Sequence, residues 1–201
     1  MRIARIRTSD GTVCHAAVEA AGYRPLEGEL FGAHRPGPRF VAAAEAELLA
    51  PVVPPQVVAI GLNYRKHAAE SGFALPTAPV VFVKTINTVI GPGAPVLLPA
   101  MAPNEVDYEA ELVIVIGRTC KNVSEQQAAD HILGYTCGND VSARDCQLRL
   151  DKQWARGKCF DTFAPLGPWI ATGIDGDHLD IRMRLNGQTV QASNTADMIF
   201  S

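Results

Sequence analysis

The chain has 201 residues, 47% of them hydrophobic, which is enough for one sizeable core with a small lobe appended. A net charge of −3 excludes a general attraction to nucleic acid or to acidic membranes, and no stretch approaches the roughly 18 uninterrupted apolar residues of a membrane span. Five scattered cysteines without a CxxC pair fit reduced thiols, and polar Thr8-Ser-Asp-Gly stands where a signal peptide needs its apolar segment, so the expected location is the cytoplasm.

Arg2 to Arg7 alternates, Ser9-Asp-Gly11 supplies a turn and Thr12 to Val18 is again strand-like, which predicts a hairpin opening a small N-terminal lobe over residues 1–50. Val41 to Leu49 is alanine-rich and predicts a short helix. Pro51-Val-Val-Pro-Pro55 ends it and marks the boundary to a catalytic domain over 55–201. His15 and His34 are isolated and carry no expected role.

Val57 to Gly61 is a compact apolar strand that leads into Leu62-Asn-Tyr-Arg-Lys-His67-Ala-Ala-Glu70, helix-compatible from Tyr64 onward. The i, i+3 spacing lets His67 and Glu70 meet across one turn. A carboxylate beside an imidazole orients it and raises its basicity, as a general base requires, although a solvated helix face with an incidental pair has the same spacing. Pro79 to Lys84 is a second strand, and Lys84 at its end lies either on the surface or near the rim of a site.

Glu105-Val-Asp-Tyr-Glu-Ala-Glu runs into Leu-Val-Ile-Val-Ile-Gly, predicting a buried strand with Glu105, Asp107, Glu109 and Glu111 on one face. Two carboxylates entering a core, Glu109 and Glu111, cannot both stay ionised without a cation. Ser124-Glu-Gln-Gln127 has the capping-box pattern and starts a helix to about His131. In Gly134-Tyr-Thr-Cys-Gly-Asn-Asp140-Val-Ser-Ala-Arg-Asp145 an extended segment ends at Asp140, and Ser142 is placed to cap a helix carrying Arg144 and Gln147. Glu109, Glu111 and Asp140 together make an all-oxygen set suited to Mg²⁺, Mn²⁺ or Ca²⁺ rather than zinc, with a solvated acidic edge strand as the bland alternative. Asp151 to Pro168 reads as a loop over the site, with Trp154 and Phe160 packed beneath it. The last strands, Leu179 to Leu185 and Gln188 to Ala192, are joined by an Asn186-Gly187 hairpin turn.

The ordered motifs GLNYRKHAAE, DYEAELVIVIGR, GYTCGNDVSARDCQ and QWARGKCFDTFAPLGPWI resemble the fumarylacetoacetate hydrolase family over roughly residues 55 to 201. The resemblance implies a mainly β fold with few helices (α+β), a mixed β-sandwich or β-roll. The family's pattern continues beyond Ser201 with a Thr-Gly-Thr segment that closes the substrate pocket, so the fold is expected to be incomplete at its C-terminus. Exposed sheet edges and the family habit then favour a homodimer.

The implied activity is metal-dependent hydrolysis of a carbon–carbon bond in acylpyruvate-like β-diketo acids, in catabolism of aromatic or sugar-acid compounds. Glu109, Glu111 and Asp140 would hold Mg²⁺ or Mn²⁺, His67 with Glu70 would activate water, and Lys158, at the family's GK position, would stabilise an enolate. Arg144 and Gln147 would bind the substrate's carboxylate or orient its oxygens. Isomerisation of a hydroxymuconate-type dienoate, or decarboxylation of an oxaloacetate-like acid, uses the same metal and enolate chemistry. An inactive metal-binding, dimerising remnant is the reading from another class.

Overall fold

A computed structural model describes every residue of the chain except Ser71. The alternating N-terminal segments form β1 (Arg2–Thr8), β2 (Val13–Glu19) and β3 (Gly22–Gly28), followed by the short β4 (His34–Pro36), β5 (Val41–Ala42) and β6 (Ala46–Leu49). The expected hairpin is present, with Ile6 opposite Cys14. The expected helix over Val41 to Leu49 is not: only Ala43–Glu45 makes a 3-10 turn, and β6 pairs with β1 from Arg5↔Leu49 to Thr8↔Ala46. Alanine's helix preference amounts to tenths of a kcal/mol per residue, and an open strand edge supplying a ladder of backbone hydrogen bonds outweighs it.

Next come β7 (Val57–Gly61), α1 (Arg65–Glu70), β8 (Val80–Lys84), β9 (Val89–Ile90), β10 (Val106–Asp107) and β11 (Ala110–Ile116). After α2 (Glu125–Ala128), extended by a 3-10 turn to His131, follow β12 (Ile132–Asn139), β13 (Ser142–Ala143), α3 (Ala155–Lys158), β14 (Ala164–Ala171), β15 (Asp180–Leu185) and β16 (Gln188–Asn194). The structure is mainly β with few and short helices, as the resemblance implies. The Asn186-Gly187 turn joins β15 and β16, both residues at positive φ as a tight hairpin requires.

Among the described residues, one ten-stranded sheet runs in the order β11-β12-β14-β1-β2-β3-β4, with β5, β6 and β9 attached to β3, β1 and β14. The N-terminal strands are therefore continuous with the rest through Arg2↔Ala171 and Ile3↔Ile170. Ile3, Ile6 and Ile170 are fully buried, and one cluster gathers Ala4, Ile6, Ala16 and Tyr23 against Trp169. A second cluster of Ala102, Val141, Ala143, Cys146 and Phe163 lies just beyond the end of β12 and forms the apolar floor of the acidic region.

Among the described residues, the strands β7 and β8 pair only with each other, from Val57↔Lys84 to Gly61↔Val80. Alternation turns Val58, Ile60, Val81 and Val83 outward and Phe82 and Lys84 inward. Gly61 is required where this ribbon meets Trp154, because a Cβ there would lie 2.6 Å from the indole ring. No helix among the described residues is long and apolar enough to cross a membrane.

Ile3 joins the N-terminal strands to β14, so Ile3→Ala is expected to lower the stability of the whole chain by about 2–5 kcal/mol. Urea unfolding should stay a single transition, with tryptophan fluorescence and far-ultraviolet circular dichroism sharing one midpoint. Two separate transitions would mean that the N-terminal strands fold apart from the rest.

Candidate active site

The acidic run does not form one strand. β10 pairs with β13, whereas β11 pairs with β12, and Tyr108-Glu109 lies between them. The expectation of four carboxylates on one face of one strand is corrected accordingly. The run follows residues 139–144 instead: Asp140 N–H donates to Glu109 O at 2.9 Å, Arg144 N–H to Glu105 O at 2.9 Å, and Glu109 N–H to Asn139 Oδ1 at 3.0 Å. Glu109 and Asp140 are thus set side by side by main-chain bonds.

Ser142 is not a helix cap. It lies in β13, fully buried, with its hydroxyl donating to Asp140 O. The helical turn that follows is a π-helix over Cys146–Leu150, and the Asp145 carboxylate accepts from Cys146 N–H. Single π turns recur at functional sites because the wider turn re-aims side chains. Here it brings Gln147 into contact with Arg144, whose Nη1 donates to Gln147 Oε1 at 2.8 Å.

Asp140, 8% exposed, is held by two ammonium groups: Lys84 Nζ is 2.5 Å from Oδ1 and Lys158 Nζ is 2.6 Å from Oδ2. Lys158 also reaches Glu109 Oε2 at 2.8 Å and stands 5.1 Å from the Phe82 ring centre, at cation–π distance. Read alone in the sequence, Lys158 is an ordinary surface lysine; in the structure it is 2% exposed. The loop expected around it contains the single helical turn α3, in which Gly157 is needed because a Cβ would lie 2.9 Å from Ala143 O and from Gln147 N. Burial pulls the Asp140 carboxyl upward, but the Lys158 and Lys84 ammonium groups outweigh it and hold the group below the usual carboxylate range.

Arg144 spends its donors within the protein. Nε and Nη2 contact Asp107 Oδ2 at 3.0 and 2.9 Å, and Nη1 contacts Glu109 Oε1 at 2.6 Å. The guanidinium orients Glu109 while Lys158 takes that residue's other oxygen. Glu105, farther out, pairs with Arg149 on the surface.

Glu111 differs from its neighbours. Among the described residues it has no ion-pair partner, and burial, with Glu109 and Asp140 nearby, pushes its carboxyl up to about 8. Tyr64 adds a buried hydroxyl without a hydrogen-bond partner among the described residues, and its titration is raised to about 12 by burial and by Glu111 and Asp197. Among the described residues no three His, Cys, Asp or Glu side chains converge at ligating separation, and Lys158 Nζ bridges Glu109 and Asp140 instead. The donor chemistry nevertheless fits a hard divalent cation: the acceptors are all carboxylate oxygens, and one acid lacks a counter-charge.

His67 and Glu70 both lie on the exposed side of α1, and neither makes a hydrogen bond or ion pair among the described residues, so the expected side-by-side pair is not formed here. The approach to α1 is pinned by the end of the chain. Asn63 exchanges two side-chain bonds with the Phe200 main chain at 2.9 Å each, Asp197 Oδ2 accepts from Lys66 N–H at 3.0 Å, and Arg65 bonds the Met198 carbonyl. Lys84 and Tyr64 are the members of the site that the sequence left open or unmarked. The one available signal for Lys84 was a lysine in inward register at the end of an apolar, alternating strand.

The Glu111 carboxyl keeps its proton to about pH 8 in the folded protein but loses it near 4.5 when unfolded, so the folded state binds more protons between those values. Its contribution to stability is complete below about 4.5 and is lost progressively as pH rises through about 8. In EDTA, wild-type Tm should therefore fall more steeply from pH 5 to 8 than that of Glu111→Gln, as scanning calorimetry at a series of pH values would show. Identical pH slopes would contradict this.

Residues 56–201 match the family described as fumarylacetoacetate (FAA) hydrolase C-terminal, and residues 1–51 match the one described as Rv2993c-like, N-terminal. Oxaloacetate tautomerase fahd2, mitochondrial, from Xenopus laevis is 44% identical over 80% of this chain and 51% of its own. The 2,4-didehydro-3-deoxy-L-rhamnonate hydrolase of a Sphingomonas species is 44% identical over 73% of this chain and 52% of its own. The crystal structure of 2-hydroxyhepta-2,4-diene-1,7-dioate isomerase from Mycobacterium marinum superimposes with a TM-score of 0.89 at 43% identity, over 99% of this chain and 77% of the other. An uncharacterized protein from Archaeoglobus fulgidus is 50% identical, and the chain spans 63% of it, so the chain covers between half and two thirds of these curated relatives. By the match over 56–201, and by a buried cluster of carboxylates and lysines built from the motifs that carry the likeness, the chain belongs to the fumarylacetoacetate hydrolase family.

Proposed function

We propose that this protein moves a proton on a 2-oxo carboxylic acid through its enol or enolate, as a tautomerase or isomerase. The observation that carries the reading is the Lys158 ammonium, 2% exposed and bonded to Glu109 and Asp140, a fixed positive charge where negative charge would gather on a substrate oxygen. The tautomerase and isomerase relatives support it, since both of those named reactions relocate a proton without adding water.

Glu109, Glu111 and Asp140 would hold Mg²⁺ or Mn²⁺, which when bound supplies a Lewis acid for the 2-oxo and carboxylate oxygens. Lys158 donates hydrogen bonds to the C2 oxygen as C3 loses its proton and the C–H electron pair enters the C2–C3 bond. His67 is the assigned proton acceptor, because imidazole exchanges protons near neutral pH. Return of the proton to C3 restores the ketone, protonation at oxygen gives the enol, and protonation at a conjugated carbon gives the isomer. Arg144, itself bonded to Gln147, keeps Glu109 aimed, and the two remain the proposed residues for binding the substrate's carboxylate or orienting its oxygens.

The second reading is carbon–carbon bond hydrolysis, favoured by the Sphingomonas hydrolase relative and by the i, i+3 placement of His67 and Glu70 on α1. There His67 takes a proton from water, the hydroxide adds to the distal carbonyl, and the bond that breaks leaves its electron pair as an enolate facing Lys158.

One assay separates these readings. Oxaloacetate enol–keto exchange and acylpyruvate loss are followed by ultraviolet absorbance, with Mn²⁺ or EDTA, and carbon dioxide release is recorded alongside. Accelerated, metal-dependent enol–keto exchange without cleavage is expected, with Lys158→Met lowering kcat by about 10²-fold or more. Acylpyruvate cleavage would favour the second reading, and carbon dioxide release a decarboxylase. Activity unchanged in Lys158→Met would remove the basis of the proposal.

A further inference from the structure

The two lysines on Asp140 carry the same charge but differ in what else they hold. Lys158 Nζ bridges Asp140 Oδ2 and Glu109 Oε2, on two of the carboxylates that would hold a divalent cation. Lys84 Nζ contacts Asp140 Oδ1 at 2.5 Å and the Val141 carbonyl at 3.1 Å, and so competes for neither. Lys84 is 4% exposed and ends β8, whose one strand partner among the described residues is β7. β7 in turn leads directly into the Asn63–Glu70 segment that bears His67. The Lys84 contacts therefore join two units that share no β-ladder: the ribbon that positions α1, and the corner of residues 139–144 that carries the acids.

We propose that Lys84 is a positioning residue that fixes Asp140 through Oδ1 and the Val141 carbonyl and anchors the His67-bearing ribbon to the acids, leaving Oδ2 to exchange the Lys158 ammonium for a divalent cation. The inference rests on the metal-binding reading above and adds unequal roles for two like charges. Charge alone gives both lysines one sign, because removing a positive group beside a cation site strengthens cation binding. Positioning reverses the sign for Lys84, since Asp140 without its Oδ1 partner loses its fixed orientation and the ribbon its anchor.

The test is calorimetric titration with Mn²⁺ of the wild type, Lys84→Met, Lys84→Arg and Lys158→Met at one ionic strength. Lys158→Met is expected to bind Mn²⁺ more tightly than wild type, and Lys84→Met more weakly by about 10–100-fold, with part of the loss restored in Lys84→Arg. Amide hydrogen exchange on the metal-free proteins supplies a second readout. Lys84→Met should speed exchange across Val57–Gly61 and Val80–Lys84 while leaving the Asp180–Asn194 hairpin unchanged.

Lys84→Met binding Mn²⁺ as tightly as wild type, or more tightly, overturns the proposal, as does ribbon exchange that does not change. Equal weakening in Lys84→Met and Lys158→Met overturns the unequal assignment. If wild type itself fails to bind Mn²⁺, the metal reading falls on its own, and ribbon exchange alone decides whether Lys84 is the anchor. If Lys84→Met does not fold, Asp140→Asn replaces it: faster ribbon exchange supports the anchor and unchanged exchange refutes it.

Discussion

Asp140, clamped between Lys84 on one oxygen and Lys158 on the other, is the contact on which the arrangement of this protein depends. A carboxylate at 8% exposure is costly to bury as an ion unless each oxygen meets a donor, and here both do. The two lysines come from different parts of the chain, the end of β8 and the last residue of α3. Satisfying one acid therefore brings together the ribbon, the helical turn and the end of the long strand β12. Removing Asp140 would leave the buried Lys84 ammonium without an ion-pair partner among the described residues, whereas removing either lysine leaves Asp140 one counter-charge and one oxygen without its donor.

Charge around this clamp is graded. Toward solvent, Glu105 and Asp107 are answered by the arginines Arg149 and Arg144, whose flexible or forked side chains remain near water. Inward, Asp140 is answered by two compact ammonium groups, and Glu109 by one of them together with the Arg144 guanidinium. Glu111 has no such partner among the described residues, and burial with Glu109 and Asp140 nearby pushes its carboxyl up to about 8. The cluster thus combines fixed cations with one acid that has no ion-pair partner among the described residues, and the proposed proton transfer rests on that combination.

Much of the strand pattern was legible because alternation and turn chemistry act locally. The hairpin of β1 and β2, the apolar strands β7 and β8, and the Asn186-Gly187 turn follow from a period of two and from residues that accept positive φ. Val41 to Leu49 misled because alanine content measures a weak intrinsic preference, whereas the edge of β1 that recruits β6 lies some forty residues away and leaves no local mark. Ser142 misled for a similar reason: its spacing fits a cap, but pairing with β10 draws it into a strand. The motifs pointed to Glu109, Asp140 and Lys158, which the structure does bring into contact. That Lys84 joins them, and that Arg144 turns to Asp107 and Glu109, depends on long-range packing that no spacing rule encodes.

The central place of β1 also sets an order for folding. Its outer edge is shared, Arg2 and Ile3 pairing with β14 while Arg5 to Thr8 pair with β6, and the amino terminus donates to Thr172, 171 positions away in sequence. β1, β2 and β3 can associate early through short connections, but the half of that edge meant for β14 stays open until β14 has been synthesised. During translation the growing chain carries an unsatisfied edge on β1, and protection from aggregation arrives only when β14 docks. β1, although it precedes β14 by some 160 residues, is consequently among the last strands to find all of its partners.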